Sequence, residues 1–276
     1  MIHHTTNSTT TKVGQSIATI IADSVNSDGK RITTFELVYP RYIHSEVMTH
    51  RVFSRNASSS RATPLKVTLD EVRNDPVFFD YIGKNQSGMV AGEELEYEET
   101  LKFKDDWELL GIQVAARIEQ MSEKYGIHKQ TLNRALEPWL RIRTLVTVTD
   151  TQNFFQLRLA EDAQPEIQSL ANAMLYAMAK SEMKKSDIHL PYITSEELAN
   201  ESVDLLTWVK VSVARCARVS YARHDGKDSQ LAEDIKLHNR LLESGHFSPF
   251  EHVARPCKGR HANFDGWQSY RNRLGK

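Results

Sequence analysis

This chain of 276 residues carries only two cysteines, Cys216 and Cys257. Two are too few for a disulfide framework, and a reducing cytoplasm is the expected setting. No run approaches the roughly 18 apolar residues that a spanning helix needs, so no membrane span is expected. Charge of one sign is also lacking. The formal net charge is −1, without the basic field that nucleic-acid binders often show. The opening stretch, Met1 to Lys12, is polar, Thr-rich and free of any apolar segment. It reads as a disordered tail rather than a signal peptide, and His3-His4 is too short for a metal tract. What is present suits a packed core: 40% apolar residues, with ten Phe, nine Tyr and four Trp. The length allows one large domain or two small ones.

The stretch with the most unusual composition is Thr49 to Arg61, THRVFSRNASSSR. It holds His50, Arg51, Arg55, Asn56, Arg61 and five small hydroxyl side chains. No apolar core wants such a set. Its guanidiniums, imidazole, amide and hydroxyls all donate hydrogen bonds, which suits an anion with several oxygens, such as a nucleotide phosphate. The plainer reading is a solvated Ser-rich surface loop.

The surroundings place this loop on a rigid element, where functional loops commonly sit. Phe35 to Tyr39 alternates as a strand does, and Pro40 suits the first turn of a helix. Ile43 and Val47 then share a face, with Glu46 and His50 beside them. Upstream, Ser16 to Val25 reads as a strand or a short helix, and periodicity leaves both open. Asn26 to Lys30 is an Asp-Gly turn, and Arg31 to Tyr39 completes a hairpin. Downstream, Leu65 to Glu99 is less regular, and Lys84 to Gly92 reads as a substrate lid or a surface excursion. Apolar residues from Trp107 to Tyr125 predict an amphipathic helix stopped at Gly126.

A short helix over His128 to Leu136 should end at Glu137-Pro138, with Arg134, taken alone, a surface charge. Leu145 to Thr151 reads as a strand, and a long helix should run from about Glu161 to Lys184. Ser186 to Asp204 is linker-like. VSVARCARVSYARHD reads as a strand followed by a basic turn. Asp228 or Ser229 should cap a helix that Gly245 stops. Val253 to Lys276 holds six cations against Asp265, a basic tail that is solvated or binds polyanions.

His50-Arg51, seven further residues and Ser59, with Ser54, Asn56 and Arg61 in register, resemble the Arg-His-Arg…Ser signature of the flavin-dependent thymidylate synthases. Thr49 stands where the first Arg belongs, and Glu46 where that family commonly has Gln. NRALEP, NFFQLR and DAQPEIQ resemble a second set of family motifs. ARVSY and GHFSPFEH resemble a third, but out of order: in the family they open the chain, and here they close it. Gln268-x-x-Arg271-x-Arg273 then follows His252 as Gln-x-x-Arg-His-Arg does in the family, with Asn272 for the His. The order looks like a circular permutation in which the central motif appears twice, each copy incomplete. Permutation costs little where termini lie close together on the surface. The matching segments are roughly 35–64, 131–175 and 214–273.

The resemblance implies an α+β fold, a mixed sheet with long packed helices, flavin-dependent thymidylate synthase-like and permuted. It implies one catalytic domain over 13–276 behind a disordered 1–12, with 13–185 carrying the THR…S and NFFQLR motifs and 205–276 carrying ARVSY and SPFEH. It also implies a homotetramer with sites between subunits. The activity implied is methylation of dUMP to dTMP, with methylenetetrahydrofolate as carbon donor and NADPH as reductant through FAD, and without a protein nucleophile. The protein would position the reactants and polarise the pyrimidine.

By motif position Arg158 is the catalytic residue, stabilising charge on the uracil ring. Ser59, Ser60 and Arg61 would hold the phosphate, and Arg134 would contact the nucleotide. His50, Arg51, Asn153, His246 and Ser248 would line the flavin. Gln268 and Arg271 are expected to make contacts that Glu46 and Thr49 cannot, Arg271 serving nucleotide and cofactor alike. The bland alternative is that this second copy is a relic with solvated Arg side chains. Three rival readings stand beside this one. A sibling enzyme could leave another 5-substituent or take another pyrimidine nucleotide, with Glu46 as its warrant. The basic tail suggests a single-stranded nucleic-acid module, which leaves the other motifs unexplained. A metal hydrolase on His246 and His252 fits no common ligand spacing, so no metal is expected.

Overall fold

Local sequence signals build the central sheet. The computed structural model describes residues 9–220 and 230–276. Strands β1 (Thr10–Val13), β2 (Ser16–Val25), β3 (Arg31–Pro40), β4 (Ser54–Ala57) and β5 (Arg141–Val148) lie antiparallel in the order β1-β2-β3-β5-β4. A two-residue β6 (Lys184–Lys185) pairs parallel to β2, so the sheet is mixed. The β2–β3 hairpin closes because Asn26 Oδ1 accepts from the Asp28 and Lys30 amides at 3.0 and 2.9 Å. Gly29 takes the positive φ of +75° that this turn demands.

Helices fill the connections: α1 (His44–Val47), α2 (Leu65–Asn74), α3 (Tyr97–Tyr125), α4 (Lys129–Leu132), α5 (Gln152–Arg158), α6 (Pro165–Lys180), α7 (Ser195–Leu198), α8 (Leu205–Ala217) and α9 (Leu231–Glu243). A second hairpin, β7 (Ala254–His261) and β8 (Phe264–Ser269), leads into α10 (Tyr270–Arg273). Short 3-10 turns occupy Arg41–Ile43, Asn133–Trp139 and Ser248–Glu251.

The two faces of the sheet differ because side chains alternate along each strand. Phe35, Leu37 and Tyr39 of β3 and Ile142, Val146 and Val148 of β5 pack on Ile167, Leu170, Ala171 and Met174 of α6. Full burial of each large side chain there is worth about 1.5–3 kcal/mol. The opposite face presents Thr34, Glu36, Asn56, Leu145 and Thr147, and the C-terminal third of the chain covers it. Tyr192, Cys216 and Val219 cluster on Leu145, and Ala254, Phe264 and Trp267 cluster on Ile32. Within that third, α8 and α9 share a core with Phe250 and Val253. Arg215 and Arg218 both pair with the fully buried Asp234. A separate cluster joins α2, α3 and the Asn133–Trp139 turn through Leu69, Ala115, Leu136 and Trp139.

Some open readings are decided by the structure, and several expectations need correction. Ser16 to Val25 is a strand. Thr10 to Lys12, expected to belong to a disordered tail, are in β1, held because Thr11 donates to the Ala173 carbonyl. Leu65 to Asn74 is helical, and α3 begins ten residues before Trp107. The short helix after His128 is α4 alone, with 3-10 structure beyond it. Strand β5 starts at Arg141 and ends at Val148. Helix α6 is confined to Pro165–Lys180, with Pro165 in its first turn.

Ser186 to Asp204 is packed rather than linker-like: His189, Leu190 and Tyr192 are buried. Val211 to Ala217 of the run read as a strand lie in helix α8, capped by the Asp204 side chain; the end of the expected basic turn, from Tyr221 on, lies outside the described residues. The valines of α8 satisfy a helix because nearly every side of it is covered, so alternation misleads there. The basic tail is the β7–β8 hairpin, anchored by the fully buried Trp267. The Lys84–Gly92 stretch is an exposed excursion closed by a Gly83–Glu94 bridge. Asp228 and Ser229, the expected caps of α9, lie outside the described residues; Gln230 stands at its N-cap.

Candidate active site

The polar loop is held from within. After α1 the chain turns, and Arg55 folds back to donate to the carbonyls of Met48, His50 and Phe53 at 3.0, 3.1 and 2.8 Å. Arg55 is therefore a clamp on the loop, not a ligand donor. Asn56 is likewise structural, since its amide donates to Cys216 O and Ser220 Oγ. Ser58 extends the β4–β5 pairing: its amide reaches Arg143 O at 2.8 Å, and its Oγ accepts from the Arg143 amide. Ser60 is buried, and its carbonyl accepts from Asn133 Nδ2 at 2.7 Å. Arg51 and Arg61 are the exposed guanidiniums of the stretch.

The centre of the site is the meeting of this loop with α5. Arg158 Nε donates to His50 Nε2 at 2.9 Å across 108 residues of sequence, and its Nη2 reaches Thr49 Oγ1 at 3.3 Å. Glu46 Oε2 stands 3.9 Å from Arg158 Nη1. A guanidinium can only donate. His50 Nε2 must therefore be the acceptor, which makes His50 a neutral imidazole protonated on Nδ1. Burial, then the charges of Arg158 and Arg55, push its pKa down to about 4. The ring is fixed edge-on against Phe154 at 4.8 Å. The arrangement offers a preoriented cation, a neutral imidazole and a hydroxyl at one point, with a carboxylate at its edge.

Other expected residues lie elsewhere. Arg134 is exposed and pairs with Glu137, which also takes Arg41. Asn153 is exposed on α5, beyond the buried Phe154. Ser248 opens its 3-10 turn, and His246 is exposed just before it. Arg271 Nη1 pairs with Glu251 Oε1 at 2.5 Å, and its guanidinium lies 5.9 Å from the centroid of the Phe247 ring. Gln268 sits on β8 opposite Arg255. So the structure gathers Glu46, Thr49, His50 and Arg158, joins Ser60 to Asn133, and commits Arg271 to its own half of the chain. Arg271 is accordingly ion-paired and partly exposed. Glu46 does not stand alone either, because it faces the Arg158 cation.

Three features escaped the sequence reading. Asn133 is fully buried and ties Ser60, Thr63 and Thr68 together; its only signal was its place beside Arg134. Arg143 and Tyr192 both bind the buried Glu36 carboxylate, at 3.1 and 2.7 Å. His252 is fully buried and bound to Thr147 Oγ1 at 2.8 Å, so it does not present itself to a metal. Among the described residues no group of three or more His, Cys, Asp or Glu could hold a metal ion. Cys216 is buried, and burial pushes its thiol pKa up, away from the thiolate a nucleophile needs. Among the described residues no helix is long and apolar enough to cross a membrane.

An α+β domain whose Ser-rich loop meets a guanidinium braced by a neutral imidazole has the parts of an oxyanion-handling site. Residues 30–181 match the family model described as thymidylate synthase complementing protein, and the chain belongs to that family. The match contains Thr49–Arg61 and Arg158; ARVSY and SPFEH lie outside it. No curated protein matches the chain.

Among solved structures, the chain is similar to a UMP/dUMP methylase PolB from Streptomyces cacaoi bound with 5-Br UMP. Identity is 14%, covering 62% of this chain and 92% of that one, with a TM-score of 0.47. It is also similar to thymidylate synthase X (ThyX) from Helicobacter pylori with FAD and dUMP. There identity is 19%, covering 53% of this chain and 67% of the other, with a TM-score of 0.36.

Proposed function

We propose that this protein is a flavin-dependent thymidylate synthase that methylates dUMP to dTMP, with methylenetetrahydrofolate as carbon donor and NADPH as reductant. The observation that carries the reading is the Arg158–His50–Thr49 contact, in which two family motifs far apart in sequence meet at one guanidinium. Bound FAD would supply the transfer of electrons from NADPH to the incoming carbon. The exposed Arg51, Asn153 and His246 side chains fit such a group, offering guanidinium, amide and imidazole donors for its phosphates and ring carbonyls.

The chain's own residues then do the following. Arg158 meets the uracil oxygens and stabilises negative charge developing on the ring. Neutral His50 keeps Arg158 aimed without competing for the anion. Ser59, Ser60 and Arg61 hold the phosphate, with Asn133 fixing the Ser60 backbone. Ser248 lies on the flavin side. Gln268, Arg271 and Arg134 serve nucleotide binding, Arg271 after exchanging Glu251 for the ligand. One catalytic domain spans 13–276 in permuted order and assembles as a homotetramer in the cytoplasm.

Glu46 favours one second reading. A carboxylate beside Arg158 sets the pyrimidine pocket apart from one built with Gln, and would suit a sibling reaction leaving a hydroxymethyl or another 5-substituent. The nucleic-acid reading leaves the family motifs unexplained, and two of the six C-terminal cations, Arg260 and Arg271, pair with Asp150 and Glu251. The test is mass analysis of the nucleotide after incubation with dUMP, methylenetetrahydrofolate, NADPH and FAD. A product heavier by one methylene is expected. A hydroxymethyl product would select the sibling reaction, and unchanged dUMP with no flavin uptake would refute both.

A further inference from the structure

The polar face of the sheet holds a continuous row of hydrogen bonds that no motif announces. Ser24 Oγ lies 2.9 Å from His189 Nδ1, and His189 Nε2 lies 2.7 Å from Thr34 Oγ1. Thr34 Oγ1 lies 2.6 Å from Thr147 Oγ1, and Thr147 Oγ1 lies 2.8 Å from His252 Nδ1. Thr34, Thr147, His189 and His252 have no solvent exposure at all. His252 Nε2 is buried without a partner.

Each Thr hydroxyl has one hydrogen and meets two partners, so it leaves no buried hydrogen unused only by accepting from one and donating to the other. The row can therefore run in only two directions. Starting from the Ser24 hydroxyl, it ends with an N–H on His252 Nε2 that has no acceptor. Starting from His252 Nδ1–H, it passes through Thr147 and Thr34 to His189 Nε2 and ends as His189 Nδ1–H to Ser24. That second direction leaves an unused lone pair on the fully buried His252 and the Ser24 hydroxyl hydrogen outside the row, on a residue still 7% exposed. A buried orphan N–H is rarer and costlier than an under-used acceptor.

Thr147 occupies a particular place in this row. Its backbone lies opposite Ser54 of the polar loop, and β5 continues from it toward α5 and Arg158. Its hydroxyl grips His252, the residue that ends the Ser248–Glu251 turn. Glu251 in turn holds Arg271.

We propose that the row runs from His252 to Ser24, with both imidazoles in the Nδ1–H form, and that His252 is a positioning residue. Through Thr147 it keys the Ser248–Glu251 turn to the strand that leads to Arg158, and so sets the register between the two halves of the site. The positioning role rests on the proposed function, in which that turn faces the flavin; the tautomer assignment does not.

Long-range 1H–15N NMR of histidine-labelled, otherwise unaltered protein at neutral pH tests the row itself. His189 and His252 should appear as slowly exchanging Nδ1–H imidazoles with unprotonated Nε2 atoms, beside the Nδ1–H form of His50, and an Nε2–H on His252 would overturn the assignment. Flavin and dUMP titrations of Thr147→Val and Thr147→Ser test the positioning. The valine variant should bind FAD about tenfold more weakly, the scale of one lost hydrogen bond, with dUMP affinity almost unchanged, and serine should restore the loss. Unaltered FAD affinity in Thr147→Val, or equal loss toward both ligands, overturns the role. A wild-type protein that takes up no FAD overturns the role together with the functional reading, while the NMR result still decides the row.

Discussion

Mild acid should destabilise this protein through its buried imidazoles. Burial pushes the pKa of His189 down to about 3, and burial together with the neighbouring His189 does the same to His252. In the unfolded chain both return to about 6.5. As pH falls below that value, the unfolded state takes up protons that the folded state refuses. The stabilising contribution of each neutral imidazole is thus complete above pH ~6.5 and is lost on the way down toward pH ~3. The slope approaches about 1.4 kcal/mol per pH unit for each residue. Between pH ~7.5 and ~5 the loss is about 2 kcal/mol each, or about 4 kcal/mol for the pair. That is a large part of the roughly 5–15 kcal/mol typical of a folded domain.

Urea unfolding at those two pH values, followed by tryptophan fluorescence, measures the loss directly. The comparison is with His252→Gln, which keeps a polar side chain but cannot titrate. Other groups titrate alike in both proteins and cancel. The variant should lose about 2 kcal/mol less than the wild type over the interval. Equal losses would show that His252 is not the buried neutral group the structure makes it.

Three further outcomes are expected. Arg158→Ala should keep the fold, by circular dichroism, and lose about 100-fold or more in turnover, the scale of one missing anion-stabilising donor; near-normal turnover would remove Arg158 from the site. Arg271→Ala should weaken nucleotide binding by about 1 kcal/mol or more in calorimetry, as a lost charge-assisted hydrogen bond does, while Glu46→Gln changes little; the reverse pattern would confine phosphate binding to the N-terminal copy. Gly111→Ala should destabilise despite alanine's better helix propensity, because the new Cβ would stand 2.8 Å from Trp139 Nε1; a cost of about 1–3 kcal/mol is expected for such overpacking, and a higher melting temperature would refute it.

Local rules served well wherever neighbours in sequence are neighbours in space. The Asp-Gly turn, the β2–β3 hairpin and the Gly126 stop, with its φ of +61°, follow from backbone preferences alone. Arg158 and His50 came instead from the resemblance to the family motifs, and the structure brings the two side chains together. Those rules misled at α8, where Val211 and Val213 alternate like a strand but sit in a helix covered on almost every side. The same limit applied to Arg55, which looked like one more anion donor until its guanidinium turned back on its own loop carbonyls.

Composition and turn chemistry placed the polar loop after β3, and the resemblance to the family motifs supplied the α+β class and the residues eligible for the site. Tertiary structure decided which of them meet. The Arg158 contact to His50 spans 108 residues, and the hydrogen bond from Thr147 to His252 spans 105. Contacts at such separation depend on how the C-terminal third lies on the polar face of the sheet. That packing is cooperative and buries groups from five segments at once, so no local window of sequence contains it.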